Sequence, residues 1–423
     1  MTTAAPGPDD PRRESVHLAM LFAVLYFVQG VGEPVAGLVA QPVRSILRSW
    51  GEDAATIAAF SAAVSIPWTL KPLYGLISDF VPFFGYRRKS YLLATGLLCA
   101  AGFLALFWFR PQPGNYAWFL MLLVVPTVAI AFSDVVVDAL MIEKGQPRGL
   151  TGVFQSVQWA ATYAAVLLTG VLGGYLSQHG LQYHGFLLCG VLGLVTVLMS
   201  WRYVDEERHG SAETFRDTLA ALRQAARSPA LLAVAGFLFL WSLDPLSTTL
   251  VYLQVTEEMG LSEQFFGWTL SILAAGCIAA AIGYGFVSRR FSMLTLAHAA
   301  IVLGAASQAM YWTMSGVKSA VVVHFFVGVT YMTALLIQLD LAARVCPPHA
   351  AATVFAVIMA LTNLASSLGE WLGGSWYQRL LESSGGEVAF DAMVGLGTFA
   401  KLTCWALFFL VPARLSLGRL MPR

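Results

Sequence analysis

Charge is scarce in this chain: Asp, Glu, Lys and Arg make up only 12% of its 423 residues, about half the share of a soluble protein. The 24 acids and 25 bases nearly cancel, so there is no basic footprint for nucleic acid. Cysteine is also sparse. Cys99, Cys189, Cys277, Cys346 and Cys404 lie within or at the ends of apolar segments without metal spacing, which argues against a disulfide framework and a zinc site. A glycine-rich phosphate loop and a nucleophile elbow are missing, and the seven histidines are dispersed. No cofactor is called for, and an enzyme is disfavoured. The first 16 residues are polar, with Asp9, Asp10, Arg12 and Arg13, unlike a cleaved signal peptide.

What the chain has is apolar length. Hydrophobic residues are 57% of the whole and the mean hydropathy is +0.69, the composition of an integral membrane protein. Runs able to cross about 30 Å of hydrocarbon occur near 17–40, 54–78, 90–109, 116–142, 152–177 and 184–203. A second set lies near 229–254, 265–288, 291–314, 318–344, 350–376 and 392–413. The expected fold is therefore all-α, with twelve spans in two six-helix bundles. Residues 1–16 form a tail, 17–203 and 229–423 the bundles, and 204–228 a linker containing an amphipathic helix. With an even number of crossings both termini share a side. Eighteen of the 25 Lys and Arg residues fall on that side, which predicts it to be cytoplasmic.

The segment PWTLKPLYGLISDFVPFFGYRRKSY, Pro67 to Tyr91, joins the second span to the third. Its turn is too short for a domain and carries Gly75, Asp79, Gly85, Arg87, Arg88 and Lys89. This pattern resembles the signature loop of the major facilitator superfamily. There Asp79 is expected to accept hydrogen bonds from a helix N-terminus of the other half, while the arginines hold carboxylates of adjacent helices. The residues are then a gating latch; the plainer reading is that the arginines and Lys89 only set topology.

Duplication supports two bundles. SDVVVDALMIEKG aligns with LLIQLDLAARVCP, placing Asp138 on Asp340, and Glu33-Pro34 of the first span matches Asp244-Pro245 of the seventh. The first of these segments, with PWTLKPLYGLISDF, FQSVQW and FLWSLDP, is similar to the folate-biopterin transporter family of that superfamily over nearly the whole chain. The resemblance implies proton-coupled uptake of folate or biopterin by a monomer in a bacterial cytoplasmic membrane. Carriers of muropeptides or nucleotide-like anions stay open as alternatives, with a channel or a membrane enzyme further off.

Ionisable groups inside spans are costly, by about 2.5–3.5 kcal/mol each on insertion scales, so they must pair, hold a proton or face water. Asp134 and Asp138 share one helix face. Asp134 is the expected proton or substrate site and Lys71, at similar depth, either its ion-pair partner or a contact for an anionic cargo. Asp138 and Glu143 are expected to pair with Arg87 or Arg88, with Asp138 and Asp340 also candidates for proton coupling. Glu33 and Asp244 precede prolines that unwind the two central helices, where a carboxylate could accept the paired N–H groups of a pterin. Trp241, Tyr26 and Tyr252 are candidate stacking rings, Gln29 and Gln158 cavity or interhelical donors, and Glu370 a partner for Lys401.

Overall fold

The computed structural model describes residues 11–148, 150–206, 227–287, 290–345 and 351–410. The helices of the first half are α1 (Pro11–Gly32), α2 (Ala40–Ser49), α3 (Ala54–Ser65), α4 (Lys71–Phe80), α5 (Lys89–Phe109), α6 (Tyr116–Gly145), α7 (Thr151–Gln178) and α8 (Gln182–Tyr203). The second half has α9 (Pro229–Ser242), α10 (Thr248–Leu253), α11 (Glu263–Val287), α12 (Met293–Ala309), α13 (Val317–Val345), α14 (Ala351–Ser384) and α15 (Gly386–Leu410). Among the described residues nine helices are long and apolar enough to cross a membrane. The second and seventh predicted spans are interrupted helices, and α15 occupies the place of the twelfth. Most of the linker helix expected in 204–228 and part of the turn between the eighth and ninth spans lie outside the described residues.

Each interruption has a local cause. Pro67 and Pro72 lack the N–H that an α-helix interior needs, and a 3₁₀ turn over Ile66–Leu70 separates α3 from α4. Pro34 ends α1 at Gly32, short of residue 40, and Pro245 follows the end of α9. The acid before each proline then serves the freed backbone: Glu33 Oε2 accepts from the amides of Val35, at 3.0 Å, and Ala36, and Asp244 Oδ1 from Leu246 N at 3.0 Å. The repeat seen in the sequence is thus a repeat of structure, with two broken helices each capped by its own acid.

Within the first half, apolar side chains pack in two clusters. One is built on Phe60, Phe103, Phe119 and Phe186 and the other on Phe22, Leu92, Val137 and Phe154. The second half does the same around Trp241 and Ile337 and around Tyr252, Phe266 and Tyr377. The halves meet along two seams, α7 against α11 and α3 against α14. Glycine permits the closeness: a Cβ on Gly267 of α11 would lie 2.3 Å from the Gly170 carbonyl oxygen of α7, and one on Gly374 would lie 2.3 Å from the Ala58 Cβ. Small residues let helix backbones approach in lipid, where van der Waals contact rather than the hydrophobic effect drives association.

Candidate functional site

Two ionic groups sit deep in the spans. In the first half, Lys71 Nζ at the head of α4 lies 2.6 Å from Asp134 Oδ2 of α6 and 4.7 Å from the Trp68 ring centroid. The expected Lys71–Asp134 pair is present, with side chains 19% and 15% exposed, so both ions retain some access to solvent. One turn further along α6, Asp138 accepts from Tyr26 Oη at 2.5 Å and Gln158 Nε2 at 3.2 Å. The expected pairing of Asp138 with the latch arginines is corrected, because neutral donors from α1 and α7 hold it instead. Gln29 is buried and donates to Ser133 Oγ at 3.2 Å, so of its two readings the interhelical one fits.

In the second half, Lys401 Nζ of α15 lies 2.9 Å from Asp244 Oδ2 and donates to the Trp241 carbonyl at 2.5 Å. Gln308 donates to the same carboxylate oxygen of Asp244. This corrects two expectations. Lys401 pairs with Asp244 and not with Glu370, and Trp241, 6% exposed, is a packing residue whose ring covers Gly304. Tyr252 and Tyr26 are buried as well, so none of the three proposed stacking rings offers a free face. Glu33 and Asp244 already serve protein donors, which weakens their reading as bidentate pterin acceptors. Asp340 lies on α13, partly buried.

A third group links the halves at the end remote from the N-terminus, here the distal end. Eight of the ten residues of α2 are buried because the helix packs its apolar side chains against α7, α8 and α3 of the first half, while its polar side chains reach across to the second. Gln41 Nε2 donates to the Glu263 carbonyl at 2.6 Å and Ser45 Oγ to Glu263 Oε1 at 2.9 Å. Arg44, 3% exposed, donates to Val35 O at 3.1 Å and to Thr249 Oγ1 at 3.3 Å, and Thr249 donates on to Glu370 Oε1 at 2.9 Å. Arg48 and Glu257 form an ion pair at the rim. There, burial pushes the Glu257 carboxyl above the usual carboxylate range against the opposing pull of Arg48. Together these contacts close the distal end.

The turn from α4 to α5 forms a tight loop. Phe83 and Tyr86 exchange backbone hydrogen bonds at 3.0 and 3.1 Å, and the two residues between them, Phe84 and Gly85, have φ of 53° and 83°. Glycine suits that conformation at Gly85 because it lacks a Cβ. Arg88 donates to Asp79 Oδ1 at 2.6 Å, Glu143 Oε1 at 2.7 Å and Ser78 Oγ at 2.9 Å. Burial alone would depress its guanidinium, but Glu143 and Asp79 hold it above its ordinary value. These partners all belong to the first half, which corrects the expectation that Asp79 reaches a helix of the other half. Gly75 of α4 packs against Val135 of α6. Glu206, which sequence reasoning missed, accepts from the amides of Arg87, Arg88 and Lys89 at 2.7, 2.9 and 2.8 Å. A carboxylate at a helix N-terminus satisfies orphan donors and complements the dipole. Replacing Glu206 by Ala should therefore cost about 1 kcal/mol, read as a lower melting temperature in detergent; an unchanged melt would show the cap to be dispensable.

With this geometry in place, comparison with known proteins decides the family. The model of the BT1 family matches residues 29–416. The chain belongs to the BT1 family. A folate-biopterin transporter of Synechocystis sp. is 30% identical to this BT1 protein over 387 residues, covering 84% of this chain and 75% of its own. A probable folate-biopterin transporter 4 of Arabidopsis thaliana is 24% identical, covering 93% and 94%. Folate transporter 1 of Plasmodium falciparum is 21% identical, covering 75% and 65%. Among solved structures, a point mutant of the nucleoside transporter NupG superposes with a TM-score of 0.74 at 13% identity, covering 92% of this chain and 100% of its own. A D-xylose-proton symporter gives 0.71 at 13%, covering 94% and 98%. This BT1 family member therefore has the all-helical major facilitator fold and is a multi-pass membrane transporter, not an enzyme.

Arg44, Thr249 and Glu263 were not singled out as site residues from the sequence. Arg44 reads there as a loop charge, because the ten-residue amphipathic helix that buries it is too short to be told from a loop by periodicity.

Proposed function

We propose that this protein is a secondary active carrier of a pterin-type solute, folate or biopterin, working by alternating access and coupled to protons. It acts as a monomer in the cytoplasmic membrane with both termini cytoplasmic. The substrate class rests on one observation, the family match across residues 29–416 with folate and folate-biopterin carriers among its relatives. With cytoplasmic termini, a closed distal end is the inward-facing state.

The coupling rests on charge arithmetic. Lys71, Asp134 and Asp138 place two acids beside one base in a poorly hydrated site, and unpaired charge there is expensive. Asp134 has the lysine as its ion-pair partner. Asp138, held by Tyr26 and Gln158, is the acid that carries the proton. Lys71 is then the cation that meets an anionic cargo group when Asp134 releases it.

Uptake into proteoliposomes of labelled folate, biopterin, a muropeptide and a nucleotide tests the substrate class. Folate or biopterin should accumulate and be displaced only by pterins; transport of the muropeptide or nucleotide instead would overturn it. Asp138→Asn should abolish accumulation driven by a pH gradient while substrate exchange at equal pH persists. Unchanged pH dependence in that variant would remove Asp138 as the coupling acid.

A further inference from the structure

The chamber between the halves needs a flat face if it is to hold a fused heterocycle, and the structure offers one that the sequence did not suggest. Tyr331 is the middle residue of α13, fifteenth of 29 in Val317–Val345, and it is 47% exposed. Exposure in a span ordinarily means contact with lipid. Here the helical phase argues otherwise. The exposed stripe of this helix runs through Val322 and Phe326; Tyr331 stands nine and five residues beyond them, about 180° and 140° around the axis at about 100° per residue.

Its neighbours on the same face, His324 and Gln338, one at each side two turns away, are 1% and 3% exposed. The ring is therefore open at mid-depth between buried residues, on the side facing the protein interior. The helix also packs against α9, whose C-terminal end is the break that carries Asp244. The adjacent Met332 is fully buried, and its Sδ accepts from Tyr163 Oη of the first half at 2.8 Å, so this stretch of α13 borders the other bundle. An exposed aromatic face at the midplane, next to a broken helix, stands where carriers of this architecture hold their cargo.

We propose that Tyr331 is the stacking platform for the planar ring of the cargo, a specificity-determining residue of the second half. The proposal rests on the pterin-type reading above. Stacking needs the face of the ring and not the hydroxyl, so Phe should serve and an aliphatic side chain should not.

The test is binding of biopterin and of folate to purified protein, followed by thermal stabilisation. Tyr331→Phe should bind both as the wild type does. Tyr331→Leu and Tyr331→Ala should each weaken both by about 10-fold, the order of one base–aromatic stack. Two aliphatic variants guard against a folding defect, since Leu keeps most of the packing volume, and the melting temperature without ligand reports on the fold. Wild-type affinity in the Leu and Ala variants, or a loss in Phe equal to that in Leu, overturns the platform and leaves the pterin reading standing. Wild-type protein that binds neither compound overturns both.

Discussion

Asp134→Asn should reduce uptake by about 100-fold or more with normal membrane insertion, and Lys71→Met should do the same. The two groups are an ion pair at 2.6 Å, and removing one partner strands the other in a site of low polarity, at a cost of about 3–5 kcal/mol for a fully buried pair. The 19% and 15% exposure reduces that figure, because water screens part of the orphan charge. Transport suffers more than stability does. In Asp134→Asn, Lys71 keeps Asp138 as its remaining nearby carboxylate, and the acid assigned to the proton becomes fixed in its charged form. Initial rates of folate uptake, normalised to protein in the membrane, check this, and either variant retaining half of the wild-type rate would contradict it. The charge-swapped double variant, Lys71→Asp with Asp134→Lys, should recover insertion and part of the exchange rate, as expected if the pair acts as a unit.

The second large effect is expected at Arg44. This buried guanidinium joins the Val35 carbonyl of the first half to Thr249 and, through its hydroxyl, to Glu370 of the second. Arg44→Met removes the cation and leaves the Val35 carbonyl and the Thr249–Glu370 link without their buried donor at the interface. Breaking such a contact costs more than the contact contributes, since the stranded acceptors lose solvation with nothing in return. The distal end should open. A cysteine placed at Ser45, which lies within that closure and is 4% exposed, should react with an impermeant maleimide about tenfold faster or more when Arg44 is Met than when Arg44 is present in the same cysteine background. Adding Glu370→Gln should restore most of the protection, because both partners are then neutral. Equal labelling rates with Arg44 and with Met would show that the closure depends on the helix seams alone.

The parts of this molecule that were legible in the sequence are those set by local chemistry. Apolar runs mark where helices form, and proline marks where they break, so Glu33-Pro34 and Asp244-Pro245 announced the breaks of the first and seventh spans. Glu143 was expected to meet Arg87 or Arg88, and it meets Arg88, because a short loop leaves a buried arginine few carboxylates to choose from. Partners set by bundle packing were harder. Lys401 of α15 meets Asp244 in the break between α9 and α10, and nothing in the spacing of either segment distinguishes that from a pairing with Glu370. Trp241 was misread for the same reason, since a tryptophan beside a helix break looks equally suited to a ligand or to the gap over Gly304. The close α7–α11 seam did leave a signal: Gly170 and Gly174, and Gly267 and Ser271, stand four apart on their helices, the small-residue spacing of tight helix pairs. Tyr331 left none, because only the surrounding helices determine which exposed tyrosine faces inward.

The claim on which the account depends is that the chain is a carrier whose site faces one compartment at a time. Counterflow tests it most directly: proteoliposomes loaded with unlabelled folate are diluted into a trace of labelled folate. An alternating-access carrier must show a transient overshoot, with internal label rising above the external concentration and then falling, and Lys71→Met should show none. A smooth approach to equilibrium in the wild type, as a channel would give, contradicts the account.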